Sequence, residues 1–597
     1  MKHTMKKLFS LLLTILVLSS VMPVAFAASE DFGAVTLTDS TTVFDHFDYT
    51  LNDSHGFVSG DPNTIVSTEF NTKVVENDFI KATFLPDYGA RLLSIVYKPT
   101  GHELLYQNPV GTPYGIGEGN FYYDWLMVYG GIMPTFSEPE HGKYWLEPWD
   151  FEVVTQTRDQ VSLKMSKTDT VNFGARPWKF NKGATGMTCT VIYTIYADKP
   201  YVEMSVSLKN NSNTPINYEY WTCNTLAPGS QEGNTVGSEN MEIVAPMSKV
   251  KNKDDWWGWM GSVDSVVDAG NHIFKFENLA HFKNWAGQGI SYGNDLSGDW
   301  WGVINHDNEE GILRISDNVK TPGLKMWTWG FEDSFNTIPE TSYGNSARPY
   351  IELWGGTSGE FFENAFLPAN GSLSWTEYYY PTVDLEQVTN ANENAAIHLW
   401  ADETSNGYQV NAKVNTTLID ESLRLEMRLH GSSTQQISEA AFVGSTSADT
   451  FDAFVSADTL TEDSYVLEGV IYDASNRVVL SASIPLVGTI STPPVTDLSN
   501  VWYLYNSVVE GTDGESLQAN NATLTGWQPI KTITSAANRW YTPALSGDYA
   551  AGEWNFTLWT APAAAGTEVS VALYKTNAAG NAPVLLGSQT LDVVRYV

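Results

Sequence analysis

Beyond its first thirty residues this chain shows no long amphipathic helix. Apolar residues recur at every second position, in short runs cut by Gly, Pro, Asn and Asp. A period of two turns alternate side chains to opposite sides of the backbone, a pattern suited to sheets and not to helices. Val202, Met204, Val206 and Leu208 alternate with polar residues, and Asn210-Asn211-Ser212-Asn213 then turns the chain into Ile216 to Trp221. Phe79 to Phe84 leads to a turn at Pro86-Asp87-Tyr88-Gly89, then a strand from Leu92 to Tyr97 and a turn at Pro99-Thr100-Gly101. The fold class is expected to be all-β.

The 597 residues fill about three or four domains at ~100–200 residues each. The aromatic-rich pattern runs to Pro381; aromatics then thin out while Asn, Glu, Ser and Thr rise. The reading is a signal peptide over 1–27, a large domain over 28–383, an Ig-like β-sandwich over 384–490 and a second small β-sandwich over 491–597. Ser491-Thr492-Pro493-Pro494 is a stiff linker. In the last segment Glu553 to Leu558 alternates, and Val569 to Tyr574 is expected to pair with Val584 to Thr590. Trp502, Trp527, Trp540 and Trp559 there are candidate platforms of a carbohydrate-binding module, with a spacer or wall-associated module as the alternative.

Lys2, Lys6 and Lys7, the apolar run Leu8 to Leu18 and the small residues of Ala25-Phe26-Ala27 make a secretory leader, cut after Ala27. Its apolar core is shorter than the ~20 residues of a membrane span. Removing 1–27 leaves 30 basic against 69 acidic residues, a net charge of −39. That field repels nucleic acid and anionic membranes, so neither is an expected partner. Export permits a bridge between Cys189 and Cys223; two reduced, buried thiols are the other reading. The 21 Trp and 29 Tyr offer flat apolar faces with polar handles, which suit sugar rings.

Several stretches follow one another in order. They are Leu85-Pro86-Asp87-Tyr88-Gly89-Ala90-Arg91, Thr100 to Tyr106, Gly130-Gly131-Ile132-Met133-Pro134 followed by His141-Gly142, and Tyr193 to Leu208. Pro322 to Gly330, Tyr350-Ile351-Glu352-Leu353, Leu367-Pro368 and Trp375 to Pro381 complete the series. Over about residues 70–383 this order resembles the galactose-mutarotase-like superfamily, closest to a bacterial family within it known only as a domain of unknown function. The resemblance implies a large β-supersandwich, here followed by two small β-sandwich domains. In superfamily members that interconvert anomers, a carboxylate takes the proton of the anomeric hydroxyl and a histidine protonates the ring oxygen. No metal or cofactor is implied.

By this resemblance Glu352 is the candidate base. Desolvation among Tyr350, Leu353 and Trp354 would raise its pKa; pairing with Arg348 is the bland alternative. His141 is the candidate acid or sugar ligand, or else a loop histidine satisfied by Glu138 or Glu140. Related epimerases carry a second histidine where this chain has Tyr220-Trp221-Thr222-Cys223-Asn224. Trp221 and Asn224 are therefore read as a stacking face and a hydroxyl ligand, with Arg91 as a further substrate contact. Lys325, Trp327 and Trp329 alternate and share one strand face, as a sugar groove or as core. Asp254 to Trp259 and Asp299-Trp300-Trp301-Gly302 read as aromatic loops.

The expected function is an exported, extracellular or cell-surface protein that binds and acts on a neutral sugar or oligosaccharide. Three alternatives stand beside it. One is a polysaccharide lyase recruiting Tyr122, Tyr123, His141 and Lys325. Another is a glycoside hydrolase pairing Glu352 with Asp124, Glu138 or Glu140. The third is a non-catalytic glycan binder, in keeping with the missing histidine. Gly115-Ile116-Gly117-Glu118-Gly119 is glycine-rich without a βαβ context and reads as a loop.

Overall fold

The computed structural model describes residues 32–51, 57–108, 110–111, 130–145, 147–172, 181–253, 255–328, 330, 350–404 and 406–487. Five strands between 503 and 593 are also described. The expected leader at 1–27, Asp124, Tyr122, Tyr123, Arg348, Trp329 and the run Glu553 to Leu558 lie outside these residues. The chain divides into two compact units, Met1–Thr489 and Ile490–Val597.

The first unit is built from strands, with only short 3-10 turns as helical elements among the described residues. Two sheets dominate it. The larger has fifteen described strands, and its centre runs Lys249–Asn252, Gly289–Gly293, Gly323–Thr328, Ile351–Gly356, Ile216–Gln231, in that order. Ile132–Ser137 pairs with both Ile216–Gln231 and Arg91–Tyr97. The second sheet has eight described strands and includes Trp300–Asn305, Glu310–Ser316, Ser372–Val383 and Val202–Asn210. Leu324, Met326 and Leu353 of the larger sheet join Val206, Val303, Ile312 and Trp375 of the smaller in one apolar core. The alternation at Val202 to Leu208 becomes a strand whose apolar side is buried in that core.

Centrally, the larger sheet departs from simple alternation. Every residue of Gly323–Thr328 and Ile351–Gly356 is buried. Strands covered on both sides lose the polar-out pattern, so a second layer covers the outer face here.

Asp299 to Gly302 is not a loop. Trp300–Asn305 is a strand, and its two adjacent tryptophans point to opposite faces. Trp301 lies against the Arg314 guanidinium, 4.9 Å from the ring centre, and Trp300 donates to Asn390 at 3.2 Å. The stretch beginning at Asp254 forms a 3-10 turn over Asp255–Ser262. Cys189 and Cys223 are both free and buried, on strands of different sheets, so no bridge forms.

Residues 390–487 add two four-stranded sheets, one of them ordered Thr434–Val443, Ser422–His430, Ser464–Asp473, Val478–Val487. In the second unit Thr567–Lys575 pairs antiparallel with Val584–Val593, and three short strands form a separate sheet.

Candidate functional site

Register decides what the outer face carries. Opposite residues on paired strands project the same way. Glu352 lies opposite Trp327 and Thr225, and Trp354 lies opposite Lys325 and Cys223. The outer face therefore presents Lys325 and Trp327 from one strand, Glu352 and Trp354 from the next, and Trp221 and Cys223 from the third. The alternation at Lys325 and Trp327 holds.

Glu352 is the centre. Its Oε2 accepts from the Lys325 ammonium at 3.1 Å and from the Trp354 indole at 2.7 Å; its Oε1 accepts from the Tyr350 hydroxyl at 3.1 Å. The partner is Lys325, across the strand pair. The ammonium is also ringed by aromatic faces, 4.6 Å from Trp354, 5.3 Å from Phe361 and 5.6 Å from Trp327. Cation–π contacts stabilise a charge taken out of water. Tyr350 is stacked on Tyr106 at 4.0 Å. A carboxylate has about four acceptor positions, and the described residues supply three donors to Glu352, leaving one position that none of them fills.

His141 reaches the same face. Its ring stands edge-on to Trp354, centroids 4.8 Å apart, and packs on Trp145 at 5.6 Å. One indole thus touches both candidates from the distant His-Gly and Tyr-Ile-Glu motifs. Burial, then the positive charges of Lys325 and Arg91, hold the His141 pKa well below its ordinary value. The imidazole is neutral near pH 7, suited to hydrogen bonding a hydroxyl and poorly suited to delivering a proton. Arg91 donates to the Gly130 carbonyl at 2.5 Å and the Trp145 carbonyl at 3.5 Å. Gly130 and Gly131 have φ of 69° and 81°, and a Cβ on either would strike backbone oxygen at 2.0 or 2.5 Å. Only glycine fits this close approach.

Two sequence assignments change. Asn224 lies opposite Leu353, on the inner face, and its amide donates to the Thr222 and Leu353 carbonyls at 3.1 and 2.8 Å. It is one residue out of phase with the site, so it is not positioned to contact a ligand on the outer face. Trp221 is on the correct face but fully buried, edge-on to Phe361 at 4.9 Å; it is a packed wall, not an open platform. Trp329 lies outside the described residues. Phe361 escaped the sequence reading because it comes from a loop without periodicity. Trp354 carried a signal, its two-residue offset from Glu352.

Glu138 and Glu140 lie around Lys182 and Glu219. Glu138 accepts from Lys182 at 3.3 Å, and Glu140 acts on Glu219. Glu219 stands six residues along its strand from Thr225, the residue opposite Glu352, about 20 Å at strand rise. A cleft of about 520 Å³ lined by Glu242, Lys249, Phe276 and Gln387 also lies away from these candidates.

Fold and site together describe a supersandwich-like all-β domain with a buried carboxylate–ammonium pair in an aromatic enclosure. The chain belongs to the family described as Domain of unknown function (DUF5107), which matches residues 55–382. Among solved structures it is similar to a TPR-domain containing protein from Parabacteroides distasonis, with 17% identity, 60% of this chain and 56% of that chain covered, and a TM-score of 0.46. It is also similar to a galactose mutarotase-like protein from Clostridium acetobutylicum, with 11% identity, coverage of 53% and 96%, and a TM-score of 0.37. A galactose mutarotase related enzyme from Lactobacillus acidophilus shows 13% identity, coverage of 52% and 98%, and a TM-score of 0.31.

Proposed function

We propose that the outer face binds a neutral sugar or oligosaccharide and that Glu352 is the group that accepts a proton from one of its hydroxyls. The observation that carries this reading is the convergence of Glu352 and His141 on Trp354. The resemblance of the sequence supports the substrate class, and the aromatic walls suit the C–H faces of a pyranose. Glu352 takes the hydroxyl proton at its open acceptor position. His141, neutral, orients a second hydroxyl. Lys325 offsets the carboxylate charge and is the cation nearest to any oxygen that becomes anionic. We further propose export through the leader at 1–27, with the site working outside the cell; N-terminal sequencing of the protein from culture medium checks this.

The test is exchange NMR of the two anomers of common hexoses and of oligosaccharide ends, for the wild type and Glu352→Gln. Wild-type protein is expected to accelerate exchange, and the folded Gln variant to bind the same sugars without accelerating it. Turnover that survives in Glu352→Gln removes Glu352 from this role. Binding without turnover in both proteins supports the non-catalytic glycan binder instead. A lyase reading draws on Lys325 and Arg91, two cations acting on His141; it requires unsaturated uronate to appear in the ultraviolet when pectin or alginate is added.

A further inference from the structure

We propose that residues 357–363 form a strap gating the Glu352–Lys325 face, and that Glu219 is the positioning residue that latches it. The inference rests on reading that face as a ligand site. On leaving Ile351–Gly356 the chain folds back over the sheet and is tied down across it. Thr357 N–H donates to the Tyr220 carbonyl at 3.1 Å. Phe361 N–H donates to the Tyr292 hydroxyl at 3.4 Å, and Phe362 N–H to Glu219 Oε2 at 3.0 Å. Glu360 pairs with Lys251. The anchors come from strands on both sides of the Glu352 strand, so the strap spans the site.

The strap inserts the Phe361 ring. It packs on Trp221 at 4.9 Å and Trp354 at 5.3 Å and lies 5.3 Å from the Lys325 ammonium. With it in place Glu352 is 6% and Lys325 3% exposed. A sugar ring stacking on Trp354 needs the place Phe361 occupies. The next residue, Phe362, has φ of 70°, a region that bulky side chains enter only when the surroundings hold them there. Strain beside a latch is what a segment with a second, relaxed position would store.

Glu219 is 1% exposed. The groups around it are the Phe362 amide, the Lys182 ammonium at 3.8 Å from Oε1, the Trp221 indole and Glu140. Lys182 is shared with Glu138, which also faces Lys143 at 4.0 Å. Tyr292 and Glu360 lie on the strap side. Burial pushes the Glu219 pKa up to about 7, with Lys182 opposing and Glu140 adding to the rise. Below that pH the latch is neutral and content to be buried. Above it a carboxylate with a shared cation gains from hydration, which lifting the strap provides.

Hydrogen–deuterium exchange of the full-length protein, without any sugar, reads the Phe361 and Phe362 amides directly. After correction for intrinsic rates, wild-type strap peptides are expected to lose about tenfold protection between about pH 6 and about pH 8. Glu219→Gln keeps an acceptor for Phe362 N–H and loses the titration; its protection is expected to stay high and flat. Glu219→Ala is expected to raise strap exchange at both pH values while Gly323–Thr328 and Ile351–Gly356 stay protected. If the Ala variant does not fold, the wild-type profile and the Gln variant still decide. Wild-type exchange flat across that range, or a Gln variant that follows the wild type, overturns the proposal. Neither result bears on sugar turnover by Glu352.

Discussion

Two strands of the large domain carry the same local pattern and put it to different uses. Tyr350-Ile351-Glu352-Leu353-Trp354 and Trp375-Thr376-Glu377-Tyr378-Tyr379 each place a glutamate between aromatics two residues away on either side. In both, the flanking aromatics donate to the carboxylate and a cation stands on the paired strand. Glu377 accepts from Trp375 at 2.7 Å, Tyr379 at 2.5 Å, Arg314 at 2.9 Å and, from the facing sheet, Thr222 at 3.0 Å. Burial alone would raise its pKa, but Arg314 and the other donors together hold it below the usual range. Four donors saturate it, between two sheets. Glu352 has three identified donors, a lysine instead of an arginine, and an outer face closed in part by a strap. A buried carboxylate filled on all sides serves the fold; one with an acceptor position that the described residues leave open, on a face that a loop covers, is what the proposed site requires.

Removing Glu377 should have the largest effect. Glu377→Ala leaves Arg314 charged and unpaired in the core and is expected to lower stability by about 3–5 kcal/mol, measured by denaturant unfolding. Glu352→Gln should lower it by about 1–3 kcal/mol, since the amide still accepts hydrogen bonds and three aromatic rings still face Lys325. Equal losses would erase the distinction between the two pairs.

Neighbouring glycines offer a finer test. A Cβ on Gly355 would meet the Arg314 guanidinium at 2.9 Å, and one on Gly356 would meet the Trp221 ring at 2.2 Å. Gly355→Ala and Gly356→Ala are each expected to cost about 1–3 kcal/mol. Sugar affinity, read by calorimetry, should fall in Gly356→Ala and stay close to wild type in Gly355→Ala.

The remaining effect is in the pH dependence of stability. Between pH 4.5, the ordinary carboxyl value, and about 7, folded Glu219 holds a proton that the unfolded chain has released. Stability should therefore decline as pH rises through that window, by about 3 kcal/mol. Glu377 acts in the opposite sense, being stabilising above its ordinary pKa and losing that contribution as pH falls. Unfolding curves for the wild type and Glu219→Gln separate the two, the Gln variant lacking the decline toward neutral pH.

Much of this was legible from residue spacing. Val202 to Leu208, the turn at Pro86 to Gly89 and the pairing of Val569 to Tyr574 with the late strand are all seen, because a two-residue period survives whatever the strand packs against. Lys325 and Trp327 were placed on one face by the same rule. Asn224 was misassigned because a motif's position along the chain does not report phase, and one residue reverses a strand's faces. Trp300 and Trp301 were misassigned because a Trp pair looks exposed until both sides of its strand are covered. Phe361 and Glu219 had no signal, since a latch is a contact between a loop and a strand distant in sequence.

By its own pattern the sequence determined that this chain is built of strands, where the turns fall, and that two of its glutamates lie between hydrogen-bonding aromatics. Local alternation contains no information on which side of a sheet is inside. Only the pairing of Ile351–Gly356 with its neighbours, and of Ser372–Val383 with its own, turned Glu352 outward and Glu377 inward, because the face of a side chain is settled by strand register and by which sheet packs on which.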